Sequence, residues 1–94
     1  MNMNEEDIKK IRERLDGLIE SQRVRTQSRY STEKKHLNEL AEEGHRVSSN
    51  SYDRLNDEIE DYRHFVSITN FVYSEICKEF NFPCKPIKTS EIKE

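Results

Sequence analysis

From Tyr52 onward one side chain recurs at alternating steps of three and four: Tyr52, Leu55, Ile59, Tyr62, Val66, Thr69, Tyr73, Ile76 and Phe80. All are apolar or aromatic except Thr69, a small polar member that packs in the seam, fixes its register or lines a small cavity. Only an α-helix brings a mean spacing of 3.5 onto one stripe, so this four-heptad seam predicts a long coiled-coil-like helix packed against other helices. At about 1.5 Å per residue it runs on the order of 45 Å. A compact chain of 94 residues is only about 25–30 Å across, so the pattern predicts a rod or part of an assembly.

A first stripe precedes it. Asn2 or Asn4 can cap a helix, with Glu5, Glu6 and Asp7 at its positive dipole end, and Ile8, Ile11, Leu15, Leu18 and Ile19 follow on one face. Between Glu20 and His36 the stripe thins to Val24 and Tyr30, and it resumes at Leu37, Leu40 and Ala41. No Gly, Pro or capping box interrupts residues 18–43. One long, bent helix is therefore favoured over two helices joined near 26–31. Gly44 ends it, residues 44–50 form the turn, and Asn50 or Ser51 caps the second helix. That helix stops at Asn81 and Pro83. The expected division is a hairpin domain over residues 1–84, with helices at about 4–43 and 51–81, and a flexible tail over 85–94.

Folding the chain about residue 47 sets Lys34 and Lys35 near residues 59 and 60, and Leu15 near Glu79. In that register the basic run 21–36 faces the acidic run 57–61, which predicts interhelical salt bridges. Apolar content is less balanced. Phe65, Val66, Ile68, Phe71 and Val72, beside the seam residues Tyr73 and Ile76, widen the second stripe where the facing helix is polar. One helix cannot cover that surface, so these residues are the expected oligomer interface. A second copy would complete a helical bundle.

Composition narrows the function classes. Hydrophobic residues make up 32% of the chain, enough only for a thin core, while charged residues reach 37% yet nearly cancel to a net −3. Neither a general affinity for nucleic-acid polyanions nor an acidic disordered chain follows. The amino terminus lacks the pattern of a secretory signal, and no run suits a membrane span, so a cytoplasmic protein is expected. Two cysteines, Cys77 and Cys84, fit reduced structural thiols better than a disulfide framework.

Candidate chemistry is sparse. Glu39-x-x-Glu42 and Glu58-x-x-Asp61 place paired carboxylates on both arms of a hairpin, the kind of group that holds Mg²⁺ on a pyrophosphate. The spacing resembles the all-α nucleoside triphosphate pyrophosphatases of the MazG type. That resemblance implies Glu39, Glu42, Glu58 and Asp61 as magnesium ligands. The first motif departs from the family in lacking a paired Glu directly ahead of it. A second candidate is an anion site made by Arg23, Arg25, Arg29, Tyr30, Lys34 and Lys35, suited to a nucleotide or nucleic-acid backbone. Its arginines point in several directions, and no glycine-rich phosphate loop accompanies them. His36, His45 and His64 have no metal-ligand spacing, and no strained-turn Ser begins a catalytic triad.

The expectation is therefore an all-α, antiparallel hairpin of two long helices that assembles into a homo-oligomeric bundle. Its expected role is non-enzymatic, as an adaptor, stoichiometric inhibitor or assembly factor acting on a larger protein, with no cofactor and no metal. A phosphate-ligand binder is the alternative, and a magnesium-dependent pyrophosphatase the second.

Overall fold

A computed structural model describes residues 3–94 of the chain. Two helices, α1 (Glu5–Glu42) and α2 (Ser49–Glu79), pack against each other, and there is no strand among the described residues. The molecule is a rod of 63 × 18 × 17 Å. Its radius of gyration, 18.2 Å, compares with about 12 Å for a compact chain of this length.

Local chemistry explains the ends. Asn4 caps α1 reciprocally: the Asp7 N–H donates to the Asn4 Oδ1 at 2.9 Å, and the Asn4 N–H donates to the Asp7 Oδ2 at 3.2 Å. The other expected start, Asn2, lies outside the described residues. Both helices stop in the same way. Gly44 takes φ +85°, its N–H donates to the Ala41 carbonyl, and the His45 N–H donates to the Leu40 carbonyl. Asn81 at φ +57° repeats the pattern for α2, with the N–H groups of Asn81 and Phe82 donating to the carbonyls of Lys78 and Cys77.

Residues 26–31 continue α1 without a break, and Thr26 and Tyr30 are buried there. The α2 helix begins at Ser49, earlier than the Asn50 or Ser51 expected as its cap. The facing pairs put the fold at about residues 43–45, so the register lies one to two turns from the expected one. The Tyr52 hydroxyl donates to the Asn38 Oδ1 at 3.3 Å, and the Arg12 guanidinium stacks 5.4 Å from the centre of the Tyr73 ring. The seam itself holds the core, with Leu55, Ile59, Tyr62, Thr69, Tyr73 and Cys77 of α2 against Ile8, Ile19, Thr26 and Tyr30 of α1.

Two expectations are corrected. No ion pair joins α1 to α2 among the described residues; those formed are local, such as Arg23–Glu20 and Arg63–Glu60, or run from α2 to the tail, as in Arg63–Glu91. The face between the helices is filled by the seam, which leaves no room there for the charged runs.

The second correction concerns residues 85–94, which are a packed strap and not a flexible tail. Ile87 and Ile92 are buried in the groove between the helices. Arg12 donates to the carbonyls of Lys85 and Pro86, Tyr62 to that of Ser90, and Lys34 to that of Glu94. From the level of Arg12 to that of Lys34 is about 33 Å along α1. Nine residue steps cover such a distance only when the chain is nearly fully extended.

Candidate interaction face

The strap divides the hairpin into two unlike grooves. On the strapped side α1 contributes Arg12, Gln27 and Lys34, and α2 contributes Arg63 and Asn70, all bonded to residues 85–94. On the opposite side none of the described residues covers the groove. There Gln22, Thr26 and Arg29 of α1 meet Glu58, Asp61 and Tyr62 of α2 around a cavity of about 100 Å³.

The open side of α2 carries its own heptad stripe: Glu58, Asp61, Phe65, Ile68, Val72, Glu75 and Glu79. Three apolar residues sit in the middle with two acids at each end. Of the seven, all but Glu58 are exposed, and the exposure of the apolar three is 37%, 49% and 46% for Phe65, Ile68 and Val72. Leu18, 54% exposed, lies four residues from Gln22 and eleven from Arg29, which at 3.6 residues per turn puts it on the open side of α1. In this antiparallel pair Leu18 stands at the level of Ile68 to Val72.

The seven residues expected to form an interface thus separate. Phe65, Ile68, Phe71 and Val72 are exposed, with Phe71 turned furthest outward by helical phase. Tyr73 is buried in the seam under Arg12, and Val66 and Ile76 pack against the core from its edge.

Glu58 is the odd residue of the open groove. Its Oε2 is buried without a hydrogen-bond partner. Loss of water around it raises its pKa above the ordinary carboxylate value, and the neighbouring Glu33 and Asp61 push the same way against the pull of Arg29.

The basic stretch does not converge on one site. Arg23 is held by Glu20 at 2.6 Å, which raises the pKa of the guanidinium and lowers that of the carboxyl. Tyr30 is buried, with the Lys34 ammonium 5.5 Å from its ring centre. Lys34 and Lys35 line a shallow hollow of about 450 Å³ together with Glu39, Glu42 and Glu94. Arg29 lines the open groove, and Arg25, four residues before it, shares that side of α1. The four carboxylates of the pyrophosphatase spacing are divided as well. Glu58 and Asp61 line the open groove, whereas Glu39 and Glu42 line the hollow with Lys34. Among the described residues no group of three or more His, Cys, Asp or Glu is placed to hold a metal ion.

At the α2 end Cys77 is buried and Cys84 exposed, and the two thiols are not bonded to each other. Burial, then the adjacent Cys77, raises the Cys84 pKa. No helix is long and apolar enough to cross a membrane among the described residues.

Sequence reasoning missed the strap. Its signals were Ile87 and Ile92, the only aliphatic residues after Pro83, and two helix amides, Gln27 and Asn70, on the side of each helix where those isoleucines settle. Compared with protein-family models, curated proteins and solved structures, the chain matches none.

Proposed function

We propose that this protein acts by association and not by catalysis: a small helical interaction protein working as a homo-oligomer, in the manner of an adaptor, a stoichiometric inhibitor or an assembly factor. The carrying observation is the exposure of Phe65, Ile68 and Val72, with Leu18 across the groove, on a hairpin whose other groove is filled by its own chain. Contiguous apolar side chains left in water on a soluble chain mark an interaction surface. Total area argues the same way. The rod exposes 7334 Å², where a compact monomer of its mass exposes about 5,700 Å².

A larger protein partner would then meet the charged outer faces of the assembled helices, in a cytoplasmic setting that keeps Cys77 and Cys84 reduced. The phosphate-ligand reading gains little from the geometry, because Arg23, Tyr30 and Lys34 are engaged by Glu20, the core and the strap. The cavity beside Glu58, about 100 Å³, is well below the roughly 300–1,000 Å³ of small-molecule sites. The hollow beside Lys34 and Lys35, although about 450 Å³, shares its lining with Glu39, Glu42 and Glu94, which oppose an anion.

Native mass spectrometry of the unmodified protein at micromolar concentration tests the reading. More than one chain per particle is expected. Phe65→Asp with Val72→Asp should give single chains of unchanged helix content, since both side chains are exposed in the hairpin. A wild-type protein that remains a single chain at tens of micromolar would falsify self-association through this face.

A further inference from the structure

Resting on the association reading, we infer that the open groove is filled by a second copy of this chain, related by a two-fold axis parallel to the helices. The basic side of α1 then packs along the acidic side of α2 of the second copy.

The charges of the open side carry the argument. On α1, Lys10, Arg14, Leu18, Arg25 and Arg29 fall within an arc of about 100° at 100° per residue. All five are exposed, and none of the four cations takes part in an ion pair among the described residues. The matching stripe on α2 is acidic at both ends, with Glu58 and Asp61 before the apolar centre and Glu75 and Glu79 after it. Around the centre of the rod each helix therefore presents an apolar middle between two like-charged flanks, of opposite sign on the two helices. Asp7 and Glu39 beyond the α1 cations and Arg54 before Glu58 reverse the sign only at the outer ends.

Two hairpins can meet groove to groove about a two-fold axis in only two ways. With the axis across the helices, α2 lies on α2 and α1 on α1, centred near Ile68 and Leu18. That arrangement sets Asp61 against Glu75 and Glu58 against Glu79, while Arg14 meets Arg25 and Lys10 meets Arg29. Every flanking contact is then a like-charge contact. With the axis along the helices, each α1 lies antiparallel on α2 of the second copy, at the level it already has within its own hairpin. Thr26 and Tyr62 line one cavity and Arg12 stacks on Tyr73, so Arg25 and Arg29 reach the level of Asp61 and Glu58. Lys10 reaches that of Glu75, and Arg14 that of Val72, one turn from Glu75, while Asp7 stands at the level of Glu79. Leu18 comes down on the Phe65 to Val72 centre. Glu75 already shares Lys78 at 3.2 Å on the surface, and an exposed pair of this kind exchanges partners at little cost.

The unpartnered Glu58 Oε2 fits the same arrangement. Glu58 and Arg29 line one cavity, and the arginines of the second copy would arrive at the level of Glu58. The result is a four-helix bundle with both 43–48 turns at one end and a strap along each outer groove.

Pulsed electron paramagnetic resonance decides the axis. A nitroxide is placed at Arg46→Cys in the Cys84→Ser background, where the remaining Cys77 is buried, and native mass spectrometry is run on the same sample. A dimer with a label separation of about 20–35 Å is expected, the width of a bundle with helices 8–10 Å apart plus the labels. A dimer whose labels stand near the 63 Å length of the rod overturns the inference and leaves the association reading intact. A single chain overturns both, and a larger ring overturns the dimer. Asp61→Lys with Glu75→Lys should weaken the wild-type dimer at least tenfold, whereas equal or tighter dimerisation would support the crossed axis.

Discussion

Asn70 bonds to Ile87 as one strand bonds to another: its Nδ2 donates to the Ile87 carbonyl at 3.2 Å, and its Oδ1 accepts the Ile87 N–H at 2.7 Å. A helix has no free backbone groups to offer an extended segment, so a side-chain amide on α2 supplies them. Gln27 does the same from α1, donating to the Lys93 carbonyl at 2.9 Å and accepting the Lys93 N–H at 2.6 Å. Between these two anchors Ile87 and Ile92 enter the groove and Tyr62 donates to Ser90. The strap thus combines two apolar plugs with a backbone whose polar groups are met at intervals, as a partly buried extended chain requires.

Asn70→Ala should free the near end of the strap. Two hydrogen bonds to a partly buried backbone are lost, each worth about 1 kcal/mol net, so stability should fall by about 1–2 kcal/mol. Amide exchange at Ile87 should quicken by at least tenfold, and by more than any quickening at the α2 amides around Tyr62. Unchanged protection at Ile87 would mean that the isoleucines alone keep the strap in place.

Legibility in the sequence follows which interactions are periodic. The seam from Tyr52 to Phe80 could be read because both sides of the contact are regular helices, and a 3.5-residue repeat is the direct imprint of such a contact. The α1 stripe looked broken at residues 20–36 because its partner there is partly the strap: Tyr30 and Thr26 are buried, while Gln27 and Lys34 serve the backbone of residues 93 and 94. An extended segment leaves no period of its own. Ile87 and Ile92, set among lysines and a proline, carried no more weight than any isolated isoleucine. The apolar excess on α2 was legible as excess, and its division was legible in the heptad phase, although all seven residues were grouped as one interface. Val66, Tyr73 and Ile76 belong to the seam or its edge, as their spacing in the repeat has it, whereas Phe65, Ile68 and Val72 belong to the next stripe and stay exposed.

The two glycines predict opposite effects of the same substitution. Gly44 sits at φ +85° in the left-handed cap of α1, a conformation that costs a residue with a Cβ about 1–2 kcal/mol. Gly44→Ala should lower stability by that amount, although nothing lies within 4 Å of the added carbon. Gly17 lies in the interior of α1, exposed, and its added Cβ also meets nothing within 4 Å. Gly17→Ala should therefore raise stability by about 0.8–1 kcal/mol through helix propensity alone. Urea unfolding of both variants checks the pair. A loss at Gly17→Ala would reveal a close neighbour there that the single hairpin does not possess.

Glu58 should make the hairpin less stable as the solution turns from acid to neutral. Its folded pKa is raised, first by loss of water and then by Glu33 on α1, with Asp61 of α2 adding to this and Arg29 of α1 opposing it. In the window between the unfolded carboxylate value, about 4.3, and the raised folded value, the native state binds the extra proton. Stability therefore falls as pH rises through that window and stays lower above it. Glu58→Gln keeps the shape and removes the charge, so it should melt higher than its parent at pH 7 and lose that advantage below about pH 4. The comparison belongs in the Val72→Asp background, where arginines of a second copy cannot reach Glu58 and only one hairpin is measured. Thermal unfolding followed by circular dichroism from pH 3 to pH 8 reads the difference. A Gln variant that melts lower than its parent at pH 7 would mean that Arg29 outweighs desolvation, and that the buried oxygen is already satisfied within the single chain.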